Sequence, residues 1–451
     1  MGIMAWGVPT SRLSTRPQRI APGFVALIGS MTALAAFTTD TYLPSLPVVG
    51  QDLGASVAAT QLTISGVLVG GALGQLVIGP LSDRFGRRRP ALIGISVHIV
   101  ASVLCAVAPG ILPLIAFRVL QGVGNSAATV VAMAVIRDRF VGSTAARVMS
   151  RLMLIIGVAP LFAPTVGGII AGAAGWRAVF VALAVLGVAI GLVVRRWLPE
   201  TLPVERRHTM GPAGALRGYR ELFRDRHFVA LAVLPGLGMA VLMSYVVGSP
   251  YVLQKGFGLS PIQFAALFAV NGFGLVAGAQ INGWLVLRVA PIRVLRAALP
   301  AAIVLALALL VIVRTGTGGL IGLLVPLWFL LAVNGLVPPN ASALALTRHG
   351  ERAGTAAAMI GSLQAGIAGL VSPLVGVLGE DAVAMATIML GSLLVATAVL
   401  AVATPAYRRG GWTGILPSSH RRLARGVGGA THVGNPARCQ YTLRSGAWPP
   451  W

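Results

Sequence analysis

Twelve stretches of about 20 apolar residues follow one another along this chain of 451 residues, each long enough to cross a bilayer as an α-helix. Only 10% of the residues are charged, whereas soluble domains carry about 25%. The pattern therefore predicts an all-α membrane protein with twelve transmembrane helices and excludes a water-soluble globule. The predicted spans are 23–46, 60–82, 90–108, 111–136, 152–173, 177–195, 228–248, 261–287, 297–313, 319–346, 355–378 and 382–404.

Arginine dominates the segments between these spans. Lysine and arginine together number 35, and Lys255 is the single lysine. With a cytoplasmic N-terminus, 31 of these cations lie on the cytoplasmic side, Arg177, Lys255 and Arg314 lie outside, and Arg118 lies within a span. Positive residues favour cytoplasmic loops, so we expect a multi-pass protein of the cytoplasmic (inner) membrane with both termini inside the cell. The positive charge, +24 in net, thus lies in segments next to the lipid bilayer, which argues against a nucleic acid partner.

The spans form two sets of six, separated by a long polar loop. A weak internal sequence similarity supports a duplication of the six-helix unit, because the run Gly79–Arg84 at the end of the second span resembles Gly283–Arg288 at the end of the eighth. Paired halves are a common transporter design. We divide the chain into a cytoplasmic N-terminal tail (1–22), a first six-helix half (23–195), a cytoplasmic linker loop (196–227), a second six-helix half (228–404) and a basic, disordered C-terminal tail (405–451).

The most specific motif is Gly79-Pro-Leu-Ser-Asp-Arg-Phe-Gly-Arg-Arg-Arg89, between the second and third spans. It resembles the G-x-L-x-D-R-x-G-R-R/K-R/K loop motif of the major facilitator superfamily, which implies the major facilitator fold and a loop that locks the cytoplasmic gate. Glycine allows close packing and tight turns, and an aspartate can accept hydrogen bonds from a helix N-terminus. The alternative is that the arginines of this loop only set the orientation of the protein in the membrane. Asp83 argues against this alternative, because an acidic residue adds nothing to the positive-inside signal. The gating residues are expected to be Gly79, Asp83, Arg84, Gly86, Arg87 and Arg88.

Three further runs narrow the resemblance. Thr39-Asp-Thr-Tyr-Leu-Pro-Ser-Leu-Pro47 is similar to the T-D-x-Y-L-P-x-x-P run of the bicyclomycin and chloramphenicol resistance branch of drug:proton antiporters. Arg118-Val-Leu-Gln-Gly-Val-Gly124 resembles the R-x-x-Q-G-x-G motif implicated in proton coupling. The fifth span resembles the antiporter motif G-P-x-x-G-G, although Ala163 replaces its first glycine. The other residues of this run are Pro160, Pro164, Gly167 and Gly168.

Asp40 and Arg118 are the two fully charged side chains well inside the spans. Each costs about 2.5–3.5 kcal/mol at a helix centre, and ionisable groups there are functional by default. Counted at 1.5 Å per residue, both lie at similar depths, so they could interact directly or through water. We expect Asp40 to be the protonation switch and Arg118 to adjust its proton affinity. For Asp40, the alternative is an interfacial carboxylate that bonds to the broken helix backbone before Pro44. For Arg118, the alternatives are a structural ion-pair partner and a side chain that snorkels to the membrane surface.

Other polar groups in the spans are candidates for a substrate cavity. Gln121 and Asn125 share a helical face with Arg118. His98 fits a hydrogen-bonded packing residue better than a proton carrier. The possible cavity residues are Tyr42, Gln121, Asn125, Ser244, Tyr245 and Asn271.

Several function classes are excluded. A phosphate loop needs a lysine within G-K-[ST], and Lys255 has no such context. Catalytic and metal-binding motifs are also missing, and Cys105 and Cys439 form no cluster, so we expect neither an enzyme nor a cofactor. The sequence favours a monomeric exporter of small lipophilic, drug-like compounds in exchange for protons. The alternatives are a proton-coupled sugar or organic acid importer and a membrane receptor or scaffold.

Overall fold

The computed structural model describes residues 22–140, 142–207, 212–347, 349 and 353–403. In this part of the chain, 12 helices are long and apolar enough to cross a membrane, as the sequence predicts. The two predicted tails lie outside it, except for Pro22. The principal helices are α1 (Pro22–Asp40), α2 (Val57–Phe85), α3 (Arg88–Ala106), α4 (Ile111–Arg139), α5 (Gly142–Ala174), α6 (Trp176–Trp197), α7 (Arg226–Pro250), α8 (Pro261–Leu285), α9 (Pro291–Thr315), α10 (Gly319–Asn334), α11 (Ala353–Val371) and α12 (Ala382–Ala403).

The first span is broken, whereas the sequence pattern predicts one segment over 23–46. Helix α1 ends at Asp40, whose carbonyl would need the N–H of residue 44 to continue the helix. That residue is Pro44, which has no N–H. A 3₁₀ turn (Leu43–Ser45) and a short helix (Leu46–Asp52) complete the span. The break leaves the carbonyl groups of the last turn of α1 available to other donors.

The linker contains a helix that our prediction of a polar loop misses. This linker helix, Pro212–Arg224, contacts the ends of α7 and α11. Leu222 is buried and Tyr219 is half-buried, whereas Leu216 and Phe223 are exposed. The helix forms because it can pack one side against the bundle, and a search for 20-residue apolar runs cannot detect so short a segment.

Glycines set the separation of the helices in the first half. A Cβ atom at Gly122 of α4 would overlap the carbonyl of Val67 in α2, and one at Gly124 would overlap the backbone of His98 in α3. Helices in lipid gain little from hydrophobic attraction to each other, so close backbone packing at small residues is an important source of their association. The two glycines of the R-x-x-Q-G-x-G run therefore hold α4 against both neighbours.

In the described part of the chain, the two sets of six meet mainly along two helix pairs. Helix α2 packs along α11, and α5 packs along α8. The hydroxyl of Ser362 in α11 donates to the carbonyl of Ala72 in α2 at 2.9 Å. At the other pair, Gly272 of α8 faces the side chain of Leu161 in α5. Arg118 and Asp40 lie in α4 and α1, which belong to neither pair.

Candidate functional site

Arg118 is completely buried between α1, α2 and α4. Its Nε donates to the carbonyl of Thr63 at 3.2 Å, and its Nη1 donates to the carbonyl of Thr38 at 3.0 Å and to Oε1 of Gln121 at 2.7 Å. Nη2 is buried and has no hydrogen-bond partner among the residues that the structure describes. Thr38 lies in the last turn of α1, where the helix dipole favours a positive charge. Arg118 therefore caps the C-terminal end of α1.

Aromatic rings cover the guanidinium of Arg118. Its Cζ lies 4.9 Å from the ring centroid of Tyr42 and 5.6 Å from that of Phe180. The hydroxyl of Thr63 donates to that of Tyr42 at 3.3 Å. Two of the expected cavity residues, Tyr42 and Gln121, thus contact Arg118 directly. In this conformation both are used to hold it in place.

A chain of polar groups continues from Gln121 into α3. Its Nε2 donates to the hydroxyl of Ser102 at 2.7 Å, and that hydroxyl donates to the carbonyl of His98 at 2.7 Å. Nε2 of His98 lies 3.2 Å from the carbonyl of Leu183 in α6. Asn125 approaches α1, with its Oδ1 3.5 Å from the hydroxyl of Thr38. His98 has the hydrogen-bonded packing environment that the sequence suggests.

Asp40 lies at the break of α1 and is only 6% exposed. Within the described ranges it forms no ion pair, and Arg118 has no carboxylate partner there. The two residues are linked instead through the backbone, because Arg118 binds the carbonyl of Thr38, two positions before Asp40. A direct contact between them, one of the two arrangements that the sequence allows, is not present in this conformation.

The antiporter run of α5 lies against this break. A Cβ atom at Gly167 would overlap the backbone of Thr41, the residue after Asp40. The neighbouring Gly168 faces Pro261 at the start of α8, in the second set of helices. These two glycines therefore place α5 between the Asp40 region and α8. The other residues of the run lie inside α5 and are Pro160, Ala163 and Pro164.

The candidate residues of the second half have partners within the same half. The hydroxyl of Ser244 donates to the carbonyl of Ala240 within α7 at 2.7 Å. Tyr245 stacks on Phe268 with a centroid distance of 5.1 Å. Asn271 of α8 is 1% exposed, and its carboxamide interacts with the side chain of Tyr245. Buried polar groups are normally paired, and the partner of Asn271 is Tyr245.

The loop between α2 and α3 is held by a cluster of charges. Arg87 pairs with Asp83 at 2.5 Å and with Asp138, at the end of α4, at 2.8 Å. Glu200, after α6, accepts hydrogen bonds from the backbone N–H groups of Arg87 at 2.8 Å and Arg88 at 3.2 Å. The sequence motif includes Asp83 and Arg87 but gives no sign of Asp138 or Glu200, which come from distant parts of the chain.

The remaining residues of the loop motif have separate environments. Gly86 has φ +87°, a conformation that favours glycine, and a Cβ atom there would overlap the carboxylate of Glu200. A Cβ atom at Gly79 would meet nothing within 4 Å, so the close packing expected there is not present in this conformation. The guanidinium of Arg84 lies 5.2 Å from the ring centroid of Phe85.

We expect the Glu200→Gln variant to loosen this loop. Burial raises the pKa of the Glu200 carboxyl, but hydrogen bonds from the N–H groups of Arg87, Leu202 and Arg88 outweigh it and lower the pKa below the ordinary 4.5. The stabilisation is therefore present at neutral pH and is lost as the pH falls through the lowered pKa. At pH 7 the variant should show several-fold faster amide hydrogen exchange over residues 86–89. The exposed Glu205→Gln is the matched control, and equal protection in both variants would contradict the role of Glu200.

The two ends of the bundle differ in how the two sets of helices meet. At the end remote from the α2–α3 loop, the side chain of Gln61 donates to the carbonyl of Val247 at 3.2 Å and accepts from the N–H of Gly376 at 2.9 Å. At the loop end, Asp83 and Gly354 line one cavity. Among the described residues, the carboxylate of Asp83 pairs with Arg87 and not with the N-terminus of α11.

Comparison with known proteins gives the same architecture. The family model described as Major Facilitator Superfamily matches residues 28–373. The chain is 36% identical to the uncharacterized MFS-type transporter YdgK of Bacillus subtilis, covering 83% of this chain and 93% of the relative. It is 27% identical to a bicyclomycin resistance protein homolog of Haemophilus influenzae, covering 82% and 93%.

Two further similarities extend this result. The multidrug resistance protein MdtL of Escherichia fergusonii is 33% identical over 51% of this chain and 58% of its own length. The xylose transporter XylE of E. coli, in a partially occluded inward open conformation, has a TM-score of 0.67 at 14% identity and shares the fold over 85% of this chain and 97% of its own. The expected fold class is confirmed. The family and the named relatives are transporters, which agrees with the expectation that the chain is not an enzyme. The chain is a multi-pass membrane protein that belongs to the major facilitator superfamily.

Proposed function

We propose that this transporter exports small lipophilic compounds from the cell in exchange for protons, by alternating access. The observation that carries the proposal is the buried carboxyl group of Asp40 at the break of α1, without an ion-pair partner among the described residues. Burying an unpaired carboxylate is expensive, so this position needs either a proton or a positively charged group of the cargo. Since one carboxyl group cannot hold both, binding of one would favour release of the other.

Arg118 supports this scheme as a residue that controls Asp40 without carrying a proton. Its guanidinium stays charged at all accessible pH values. Its hydrogen bond to Thr38 holds the last turn of α1, and thus the position of Asp40 relative to α4. A change in the hydration or contacts of Asp40 can therefore move α1 relative to α4. Because Asp138 at the end of α4 pairs with Arg87, such a movement can affect the α2–α3 loop.

The relatives favour export over uptake. Two of them are named for bicyclomycin resistance and multidrug resistance. The solved transporters for xylose share only the fold, so they do not favour a sugar as cargo. In the second half, Asn271 and its partner Tyr245, whose ring stacks on Phe268, would supply polar contacts within an apolar wall.

We orient the protein with its tails and its α2–α3 loop in the cytoplasm, because most arginines are at that end. The contacts of Gln61 then close the outer end, and the cavity at Asp83 faces the cytoplasm. In the outward-open state, Asp83 would approach the N-terminus of α11, whose N–H groups attract a carboxylate.

We expect the Asp83→Asn variant to favour the inward-facing state. The neutral side chain weakens the attraction to the N-terminus of α11 that we propose for the outward-open state, so the alternating-access equilibrium should shift inward. Spin-label distances between the two halves at the cytoplasmic end would measure the shift, with Glu205→Gln as the control. Unchanged distance distributions would mean that the loop only sets the orientation of the protein in the membrane.

The proposed function is tested by resistance and transport together. A pump-deficient bacterial host that expresses the protein should tolerate higher concentrations of some compounds in a drug panel. It should also accumulate less of those compounds, and a protonophore should abolish the difference. Net uptake of a compound, or export that is insensitive to the protonophore, would contradict proton-coupled efflux.

A further inference from the structure

The linker helix, Pro212–Arg224, carries large apolar side chains on its exposed surface. Leu216 is 69% exposed and Phe223 is 56% exposed. At 3.6 residues per turn these two side chains lie about 20° apart around the helix axis, so together they form an apolar stripe. A helix surface that faces only water normally carries polar residues, so this stripe needs an apolar neighbour.

A different side of the linker helix packs against the bundle. The hydroxyl of Tyr219 donates to the carbonyl of Leu76 in α2 at 3.1 Å, and Gly218 faces the side chain of Thr355 in α11. Leu222, on the same side, is buried. These three positions of the linker helix are about 60–160° around its axis from Leu216. The contacts with α2 and α11 therefore leave the apolar stripe uncovered.

Arginines follow the apolar stripe on its other side. Arg217, Arg220 and Arg224 are exposed, and none of them forms an ion pair with another residue that the structure describes. They lie about 40–100° around the axis from Leu216, whereas the exposed Glu221 lies about 140° away. An apolar stripe flanked by arginines is typical of a helix that lies in the interface of a membrane.

The contacts of the linker helix also place it at the depth of the lipid headgroups. Leu76, which accepts the hydrogen bond from Tyr219, is about 29 Å along α2 from Val57, the first residue of that helix, at 1.5 Å per residue. This length is close to the ~30 Å thickness of the hydrocarbon core. Thr355 is in the first turn of α11. Both contacts thus lie where the bundle leaves the hydrocarbon, at the end that carries the α2–α3 loop.

We propose that the linker helix is a binding site for anionic phospholipids. The apolar stripe would lie among the acyl chains, and Arg217, Arg220 and Arg224 would bind the phosphate groups. Guanidinium groups match the geometry of phosphate oxygens and can donate two hydrogen bonds to one phosphate. A zwitterionic lipid carries a cation beside its phosphate, so three arginines attract it less than an anionic lipid. Because the helix contacts both α2 and α11, the bound lipid would lie against the two halves at once.

Fluorescence quenching of the full-length protein in nanodiscs tests this site and does not require transport. A bimane label is attached to Leu216→Cys in a protein that also carries Cys105→Ala and Cys439→Ala. The quencher is a nitroxide high on one acyl chain of either phosphatidylglycerol or phosphatidylcholine, at equal mole fraction. We expect phosphatidylglycerol to quench the label at least about twofold more strongly. A control label at Glu221→Cys, on the opposite side of the helix, should be quenched mainly by iodide in the water.

Replacement of the three arginines by glutamine supplies a second arm. This variant should lose the preference for phosphatidylglycerol, while both lipids still quench the label at position 216, and thermal unfolding in detergent shows whether it is folded. If it does not fold, the comparison of the two lipids on the unchanged arginines still decides.

Three results would overturn the proposal. Equal quenching by the two lipids in the protein with its arginines would exclude a site for anionic lipid. Quenching of the label at position 216 by iodide alone would place the apolar stripe in water. Quenching by neither agent would place it against protein, such as a second copy of this chain. Failure of the protein to transport drugs, with the preference for phosphatidylglycerol intact, would contradict only the proposed function.

Discussion

Proteoliposomes containing the Asp40→Asn variant are expected to show no proton-driven drug transport, with activity equal to that of empty vesicles. Asparagine has the shape of aspartate but neither releases nor binds a proton in the accessible pH range. Because Asp40 is buried at the break of α1 without an ion-pair partner in the described structure, the substitution costs no salt bridge. Folding and expression should therefore be retained while coupling is lost.

The matched control is Asp52→Asn, in the same span. Asp52 pairs with Arg177 at 2.7 Å, and both side chains are about half exposed. Solvent weakens an exposed pair of this kind, so transport by the control should stay close to that of the original protein. Full gradient-dependent transport by Asp40→Asn, at unchanged expression, would remove Asp40 from the mechanism.

The spans are predictable because the bilayer leaves so few alternatives. A backbone that crosses lipid must satisfy all its hydrogen bonds internally, so a run of apolar residues almost dictates a helix. The break before Pro44 is predictable as well, since Pro44 cannot donate to the carbonyl of Asp40. The linker helix could not, because its 13 residues are stabilised by contacts with α7 and α11.

The charged site is only partly encoded in local sequence. Spacing places Arg118, Gln121 and Asn125 on one helical face, and the structure keeps Arg118 and Gln121 in contact at 2.7 Å. The backbone carbonyl partners of Arg118 belong to α1 and α2, and backbone acceptors leave no sequence signal. Glu200 likewise contacts Arg87 across 113 positions of the chain, so a motif search centred on the loop cannot find it.

The inter-half contacts are the least predictable part. Gln61 looks like one more polar residue in a span, yet its carboxamide joins the carbonyl of Val247 to the N–H of Gly376. The N–H of Gly376 is in the short helix Leu374–Leu378 that follows the end of α11 near Pro373. A proline at a helix end thus indicates that backbone groups nearby lack partners within the helix. The partner of the Gly376 N–H, Gln61, is known only from the packing of the two halves.

Arg118→Lys is expected to keep folding and drug binding but to lose most of the pH dependence of transport. Lysine retains the charge and can donate to Thr38 or Gln121, but a single ammonium cannot reproduce the planar fork that also reaches the carbonyl of Thr63. The last turn of α1 would then be held less firmly, and the position of Asp40 would depend less on its protonation state. Drug binding and efflux across a pH series in both proteins measure this effect.

The control for this substitution is Arg177→Lys, which changes an exposed arginine that pairs with Asp52 at 2.7 Å. Its pH profile should match that of the original protein, since an exposed ion pair tolerates the exchange. If Arg118→Lys also keeps the original profile, Arg118 acts only as a counter-charge. In that case the hydrogen bond to Thr38 has no part in coupling, and the link between Asp40 and the gate must run through α5, whose Gly167 packs on the backbone of Thr41.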